Sequence, residues 1–493
     1  VKRDAQQTAK LSKAEYKRLA EALRVKLVNA QYDLKDENTS VIILLAGNDL
    51  PGCEEFIDVL QEWVDVRYVD TRAFRLPTEE EQQHPPMWRY WQAMPRNGRI
   101  AVFYGAWIMN LVLEVEQKKI AEGELEKRLL RLSGLENLLL HDNRKVLKIW
   151  LHASEDDLKK RLKKYRKNPD SELYVGQNFE FIYKLYKRSQ PVIEKLHHLL
   201  NDEIAWQWVD GSDKRTRNIT IAQRILALLE SDAKPANASS ATKLFRPARQ
   251  NYLGKVDVNS NIENKVYKEK LKQAQLRLKH TMLAAKNAGV TPILAFEGWD
   301  AAGKGGVIRR ITQSISAWSY RAVPIAAPTP EEMKYHYLWR FWKHIPRAGK
   351  VLIFDRTWYG RVLVERVEGF AKEVEWQRAY EEINDFEAQL VDANCCVLKF
   401  WLHIDAEEQM KRFKQREQTE YKKYKITEED YRNREKWQDY ESAVNDMVEL
   451  TSTKVAPWHL VAANDKRFAR IEVMETLIRE LEVFIEKAVH SRR

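Results

Sequence analysis

Gly298-Trp-Asp-Ala-Ala-Gly303-Lys304-Gly-Gly306 follows the apolar run Pro292-Ile-Leu-Ala-Phe296. An apolar run of that length bounded by glycine predicts a buried strand, and a helix is expected to begin near Lys304. The G-x4-G-K spacing between them is that of a phosphate-binding loop. Its glycines turn backbone N–H groups inward, and the helix N-terminus adds partial positive charge. Gly298, Ala302, Gly303, Gly305 and Gly306 are therefore expected to line bound phosphate, and Lys304 to neutralise it. Gly305 stands where such loops usually carry a metal-binding Ser or Thr, so any Mg²⁺ must rest on carboxylates or water.

The chain holds this stretch twice. The earlier copy reads Gly47-Asn-Asp-Leu-Pro-Gly52-Cys53-Glu54, with Cys53 standing 251 residues before Lys304. The same register pairs Trp88-Arg-Tyr-Trp91 with Trp339-Arg-Phe-Trp342, and Val146–His152 with Val397–His403. It slips by one where Asp213-Lys-Arg215 pairs with Asp465-Lys-Arg467. A period this long indicates duplicated domains, not a solenoid. Domains are expected over 1–231 and 250–493, joined by a small, polar, Pro-containing linker at 232–249. Each copy shows a charged amphipathic helix (about Glu263 to Asn287 in the second), then short apolar strands alternating with helices. In copy two the further strands are Val351–Phe354 and Cys396–Leu402. This pattern predicts an α/β domain with a parallel sheet flanked by helices.

Asp355 closes the second strand, the place of a carboxylate that holds Mg²⁺ between phosphates. Arg356 and Arg361 follow, and guanidinium groups at this sheet edge suit bidentate phosphate contacts. Glu365 is a weaker candidate, since copy one keeps Glu114 there. Asp300, inside the loop, would repel phosphate unless it holds metal or orients the acceptor. Asp49 survives in the other copy and argues for a partly structural role. Lys411-Arg412-Phe-Lys414-Gln-Arg416, with Lys422, Lys423 and Lys425, reads as a basic lid over phosphates.

Copy one loses the charged positions: Cys53, Tyr104, Gly105 and Asn110 replace Lys304, Asp355, Arg356 and Arg361. It is expected to be catalytically silent, yet it keeps Lys159, Lys160, Arg161, Lys163 and Lys164, so binding of an anionic ligand there stays open.

The 493 residues carry 83 Lys and Arg against 72 Asp and Glu, a net charge of +11, which favours an anionic partner. The three cysteines show no CxxC pair or Cys/His ligand spacing that would suggest zinc. The polar start shows no signal peptide, no apolar run reaches membrane-spanning length, and a reduced cytoplasmic setting is expected. Homo-oligomerisation is left open.

Phe354-Asp-Arg-Thr-Trp-Tyr-Gly-Arg-Val-Leu-Val-Glu-Arg-Val-Glu-Gly-Phe370 and Glu297-Gly-Trp-Asp-Ala-Ala-Gly-Lys-Gly-Gly306 resemble the Walker B and Walker A regions of the polyphosphate kinase 2 family. Lys399-Phe-Trp-Leu-His403, Glu408–Phe413, Ala456-Pro-Trp458 and Asp465-Lys-Arg467 resemble its later motifs. The resemblance spans nearly all of 250–493, with copy one a diverged duplicate. It implies two tandem P-loop kinase-like (thymidylate-kinase-like) domains with a helical lid, and Mg²⁺-dependent transfer between inorganic polyphosphate and a nucleotide. The tandem form most resembles the class that phosphorylates AMP to ADP. It also implies a functional part for Asp300, as acceptor positioner or metal ligand beside Asp355, and polyphosphate contacts at Lys411, Arg412, Lys414 and Arg416. The alternatives are phosphorylation of ADP to ATP, an ATP-dependent nucleotide kinase, and a non-catalytic binder of polyphosphate or nucleic acid. Recognisable nucleic-acid modules are absent from the sequence.

Overall fold

The computed structural model describes residues 10–74, 76–116, 120, 122–165, 167, 204–231, 245–420, 426 and 428–490. Most of the expected linker (232–244) and Lys422, Lys423 and Lys425 lie outside the described residues. The chain divides into two compact units. The first gathers Val1–Pro77, Gln92–Ala238 and Pro330–His336, and the second Thr78–Trp91, Ser239–Thr329 and Tyr337–Arg493.

The first unit is built on strands β1 (Ser40–Gly47), β2 (Val69–Ala73), β3 (Ile100–Tyr104), β4 (Arg144–His152) and β5 (Gln207–Asp210), in the order β2-β3-β1-β4-β5. The second uses β6 (Thr291–Gly298), β7 (Tyr320–Pro324), β8 (Val351–Asp355), β9 (Cys395–His403) and β10 (Trp458–Ala462), in the order β10-β9-β6-β8-β7. Every pairing in both sheets is parallel. The α/β class, parallel sheets and flanking helices match the sequence reading.

β6 reads as one apolar run because it is central and covered on both faces. β8 and β9 flank it on opposite sides, so the chain direction across the sheet reverses at the carboxyl end of β6. Such a switch point opens the crevice where α/β proteins bind ligands. The two edge strands, β7 and β10, escaped the sequence reading. β7 is mostly exposed or half-exposed, so its residues carry no continuous apolar signal.

One polar cluster is built into each core. In the second unit, Lys399 Nζ donates to Glu387 Oε2 (2.8 Å), Tyr359 Oη (2.8 Å) and the Thr451 carbonyl (2.7 Å). Trp358 Nε1 donates to Glu387 Oε1 at 3.0 Å. In the first, Trp107 Nε1 and Lys148 Nζ both reach Glu136, at 3.0 and 2.5 Å. Trp, Glu and Lys recur at the 251-residue register in both copies. A buried ion pair kept in the half that has lost its charged loop residues belongs to the fold.

Candidate active site

Gly298 ends β6 with φ +148, and a Cβ there would lie 2.5 Å from the Leu402 carbonyl oxygen of β9. Only glycine lets the loop start so close to the neighbouring strand. The loop then turns through Ala301 (φ 63) and Gly303 (φ 114), and the helix Lys304–Thr312 begins. A Cβ on Gly305 would meet nothing within 4 Å, so the backbone there faces open space. Lys304 Nζ donates to the Gly298 carbonyl at 2.6 Å, which places the ammonium across the loop.

Asp355 is the last residue of β8 and pairs in register with Phe296 of β6. Its carboxylate-bearing position therefore adjoins the start of the loop, as the strand-end reading required. Arg356 follows with φ 64. A left-handed conformation costs a non-glycine residue about 1 kcal/mol, and such residues cluster at functional sites. Its half-exposed guanidinium comes within 3.5 Å of Asp300 Oδ1. Asp300 Oδ2 accepts from Asn433 Nδ2 at 3.2 Å, so the loop carboxylate lies between the Walker B arginine and the helix Glu428–Glu435. Arg361 pairs with Glu365 (Nη1–Oε2 3.1 Å) and sits over the Tyr337 ring. Arg361 and Glu365 thus act on each other.

The basic segment divides. Lys411 and Lys414 line a groove of about 590 Å³ together with Glu407, Met410, Gln415, Gln418 and Arg434. Arg416 lies on the same helix, Ala406–Glu417. Arg412 does not join them. It is buried, and donates to the carbonyls of Ala301 and Ala302 (both 2.9 Å), Ala463 (2.7 Å) and Asn464 (2.8 Å), and to Glu408 Oε1 (2.7 Å). All five guanidinium donors are directed at protein oxygens, so the expectation of a polyphosphate contact gives way to a brace beneath the loop.

Three further groups were not singled out in the sequence. Arg470 approaches the loop from the C-terminal helix: a Cβ on Gly306 would lie 3.4 Å from its Nη2. Copy one has Asn218 at that position in the later register, which is a readable signal. Asn433 is 133 residues from Asp300 and gave none. Glu297 is buried in β6, and its Oε1 accepts from Thr357 N (2.7 Å) and Thr357 Oγ1 (2.8 Å). Burial holds its carboxyl above the ordinary range, opposed by the charge of Lys304 and by the Thr357 hydroxyl.

The first unit shows what the loop becomes without its lysine. Its helix starts at Leu50, capped by Asp49, whose Oδ1 accepts from Gly52 N at 3.1 Å. By the 251 register this helix begins three residues earlier than Lys304–Thr312, and Pro51 favours that first turn. A Cβ on Gly52 would lie 2.2 Å from Asp49 Oδ2 and 2.8 Å from Arg217 Nη1, so these side chains crowd the inner face. Tyr104, in the place of Asp355, donates its hydroxyl to the Leu50 carbonyl at 3.3 Å. The phosphate-facing backbone has been wound into helix and covered by protein side chains.

A switch-point loop with Lys304 at a helix start, and Asp300, Asp355 and Arg356 around it, defines a P-loop phosphotransferase. The sequence profile of polyphosphate kinase 2 (PPK2) matches residues 10–237 and again 261–488, and the chain belongs to that family. It is 40% identical over 484 residues to a polyphosphate:AMP phosphotransferase of Pseudomonas aeruginosa, covering 97% of this chain and 98% of that one. An ADP-polyphosphate phosphotransferase of Rhizobium meliloti is 37% identical over 212 residues, 43% of this chain and 75% of its own. A crystal structure of polyphosphate kinase 2 from Pseudomonas aeruginosa superposes with a TM-score of 0.87 at 39% identity, over 98% of each chain.

Proposed function

We propose that the second unit transfers the terminal phosphoryl group of inorganic polyphosphate to AMP, giving ADP and a chain one phosphate shorter. The observation that favours AMP over ADP is length. The relative named for AMP matches through both copies, whereas the relative named for ADP covers under half of this chain.

An oxygen of the AMP α-phosphate attacks the terminal phosphorus in line, and the P–O bond to the rest of the chain breaks. The attacking oxygen is already ionised at neutral pH, so no strong general base is needed. Positioning and charge stabilisation carry the catalysis. Lys304, the loop N–H groups and Arg356 take up charge on the transferred group. Asp300 orients the acceptor, with Arg356 and Asn433 fixing its carboxylate. Arg361 and Glu365 shape the nucleotide side, and Lys411, Lys414 and Arg416 hold the distal chain.

No group of three or more His, Cys, Asp or Glu that could hold a metal occurs among the described residues. Mg²⁺ usually takes one or two protein carboxylates and completes its shell with phosphate oxygens and water, so Asp300 and Asp355 fit it. When bound there it would supply charge neutralisation between donor and acceptor phosphates. The setting we propose is the cytoplasm, which suits three buried free thiols. No described helix is long and apolar enough to cross a membrane.

Incubation with AMP, polyphosphate and Mg²⁺, followed by anion-exchange chromatography, is expected to yield ADP. ATP formed from added ADP in preference to ADP from AMP would move the acceptor. Turnover with ATP and none with polyphosphate would overturn the donor.

The first unit is expected to stay silent even when its missing charges are restored. Cys53→Lys, Tyr104→Asp, Gly105→Arg and Asn110→Arg together, in a chain also carrying Lys304→Met, should give no more ADP than Lys304→Met alone. The early helix start at Leu50 leaves no loop to receive the phosphate. ADP formation rising tenfold would show that residue loss alone silenced this half.

A further inference from the structure

Walker A and Walker B residues must be held in mutual register, since a displacement near 1 Å at a reacting centre can cost about 10²-fold in rate. In the second unit two ties hold the turn after β8 against the end of β6. One is backbone: Arg356 N donates to the Phe296 carbonyl at 3.1 Å. The other runs through a side chain: the Glu297 carboxylate accepts both Thr357 N and Thr357 Oγ1. Glu297 immediately precedes Gly298, where the loop starts, and Thr357 comes two residues after Asp355. One residue thus links the start of the phosphate loop to the turn bearing Asp355 and Arg356.

The silent copy separates this tie from the needs of the fold. There the backbone tie persists, Gly105 N to Leu45 O at 2.9 Å, and the turn keeps its left-handed residue, Gly105 at φ 80. The side-chain tie is absent, because Ala46 and Ala106 stand in place of Glu297 and Thr357. The sheet and the turn form without it. A buried carboxylate is costly unless well bonded. Yet it is present in the copy that has Lys304, Asp355 and Arg356, and gone from the one that has lost them.

We propose that Glu297 and Thr357 are positioning residues for phosphoryl transfer: their hydrogen bonds aim Asp355 and Arg356 at the phosphate held by the loop. The pair touches no substrate and acts through the turn. This rests on the phosphotransferase reading of the site. If the unaltered chain makes no ADP, that reading fails; if it turns over and the variants match it, only the pairing fails.

The test is steady-state ADP formation by the full chain carrying Thr357→Val, Thr357→Ser, Glu297→Ala or Glu297→Gln, with melting followed in parallel. Glu297→Ala and Thr357→Val are expected to lower kcat by about 10- to 100-fold. KM for AMP and for polyphosphate should stay within about threefold, because the loop and lid that bind them are untouched. Thr357→Ser keeps the hydroxyl and Glu297→Gln keeps the acceptor oxygen, so each should retain most of kcat. The double variant Glu297→Ala/Thr357→Val should be no slower than the slower single. A purely structural role would lower melting and active fraction without this kcat-selective, non-additive pattern. Single losses that multiply, kcat within twofold of the unaltered chain, or a Ser variant as slow as Val would each overturn the proposal. So would Glu297→Gln as slow as Glu297→Ala, since charge and not the tie would then matter. Thr357 Oγ1 also accepts from Tyr359 N at 3.1 Å, a cap that Thr357→Val removes and the Glu297 variants keep, so if Glu297→Ala does not fold, Glu297→Met, which keeps bulk in the strand, decides in its place.

Discussion

Lys304→Met is expected to lower kcat for ADP formation by about 10³-fold, with the fold unchanged. The ammonium lies across the loop, bonded to the Gly298 carbonyl at 2.6 Å, where the charge of a transferring phosphoryl group would gather. Methionine keeps the length and removes the charge. Arg356 pairs with Asp300 at 3.5 Å and is half exposed, so it does not replace a cation seated at the helix start. The fold tolerates the loss, because the first unit builds the same sheet around Cys53, which is fully buried. Steady-state kinetics at saturating AMP and polyphosphate measure the effect, with circular dichroism as the folding control. A fall of less than tenfold would mean that the loop amides and arginines carry the charge without Lys304.

What could be read from the sequence followed from local physics. β6, β8 and β9 are covered on both faces, so their apolar runs announce strands, and the glycine exit of β6 announces the loop. Lys304 and Asp355 sit at fixed offsets from those strands and could be placed without coordinates. Side chains whose partners lie far along the chain could not. Glu297 falls inside an apolar strand and meets Thr357 sixty residues later. Asp300 finds Asn433 only through tertiary packing. The basic helix misled because composition does not say which face is buried: Lys411 is exposed and lines a groove, whereas its neighbour Arg412 is enclosed. The duplication held the correction. Copy one keeps Arg161, Lys148 and Glu136 opposite Arg412, Lys399 and Glu387, and discards the partners of Lys304, Glu297 and Arg470. Retention of a buried pair or brace in the half with a collapsed loop marks scaffolding, whereas Asp300 and Glu365, which keep counterparts in Asp49 and Glu114, are not sorted by this comparison.

Lys399→Met is expected to destabilise the second unit by about 3–5 kcal/mol. The ammonium is fully buried and spends its three hydrogens on Glu387, Tyr359 and the Thr451 carbonyl. Burial pushes its pKa below the usual lysine value, and the charge of Glu387 pushes back. Methionine fills the space but leaves the Glu387 carboxylate inside the core without its cation, and the Thr451 carbonyl with Thr453 N in place of two donors. For a domain of this size the loss corresponds to a melting decrease of roughly 10 °C, read as the shift of one calorimetric transition. Adding Glu387→Gln should recover most of it. The amide oxygen still accepts from Trp358 Nε1 and Tyr359 Oη, and no uncompensated charge remains. ADP formation should fall with the single variant beyond its loss of stability, because Trp358 and Tyr359 continue the turn that carries Arg356. Lys148→Met supplies the internal control: it strands Glu136 in the first unit, so it should lower that unit's transition and leave the chemistry of the second intact. If Lys399→Met shifts melting by less than a few degrees, or Glu387→Gln brings no recovery, the pair is not the anchor of this core.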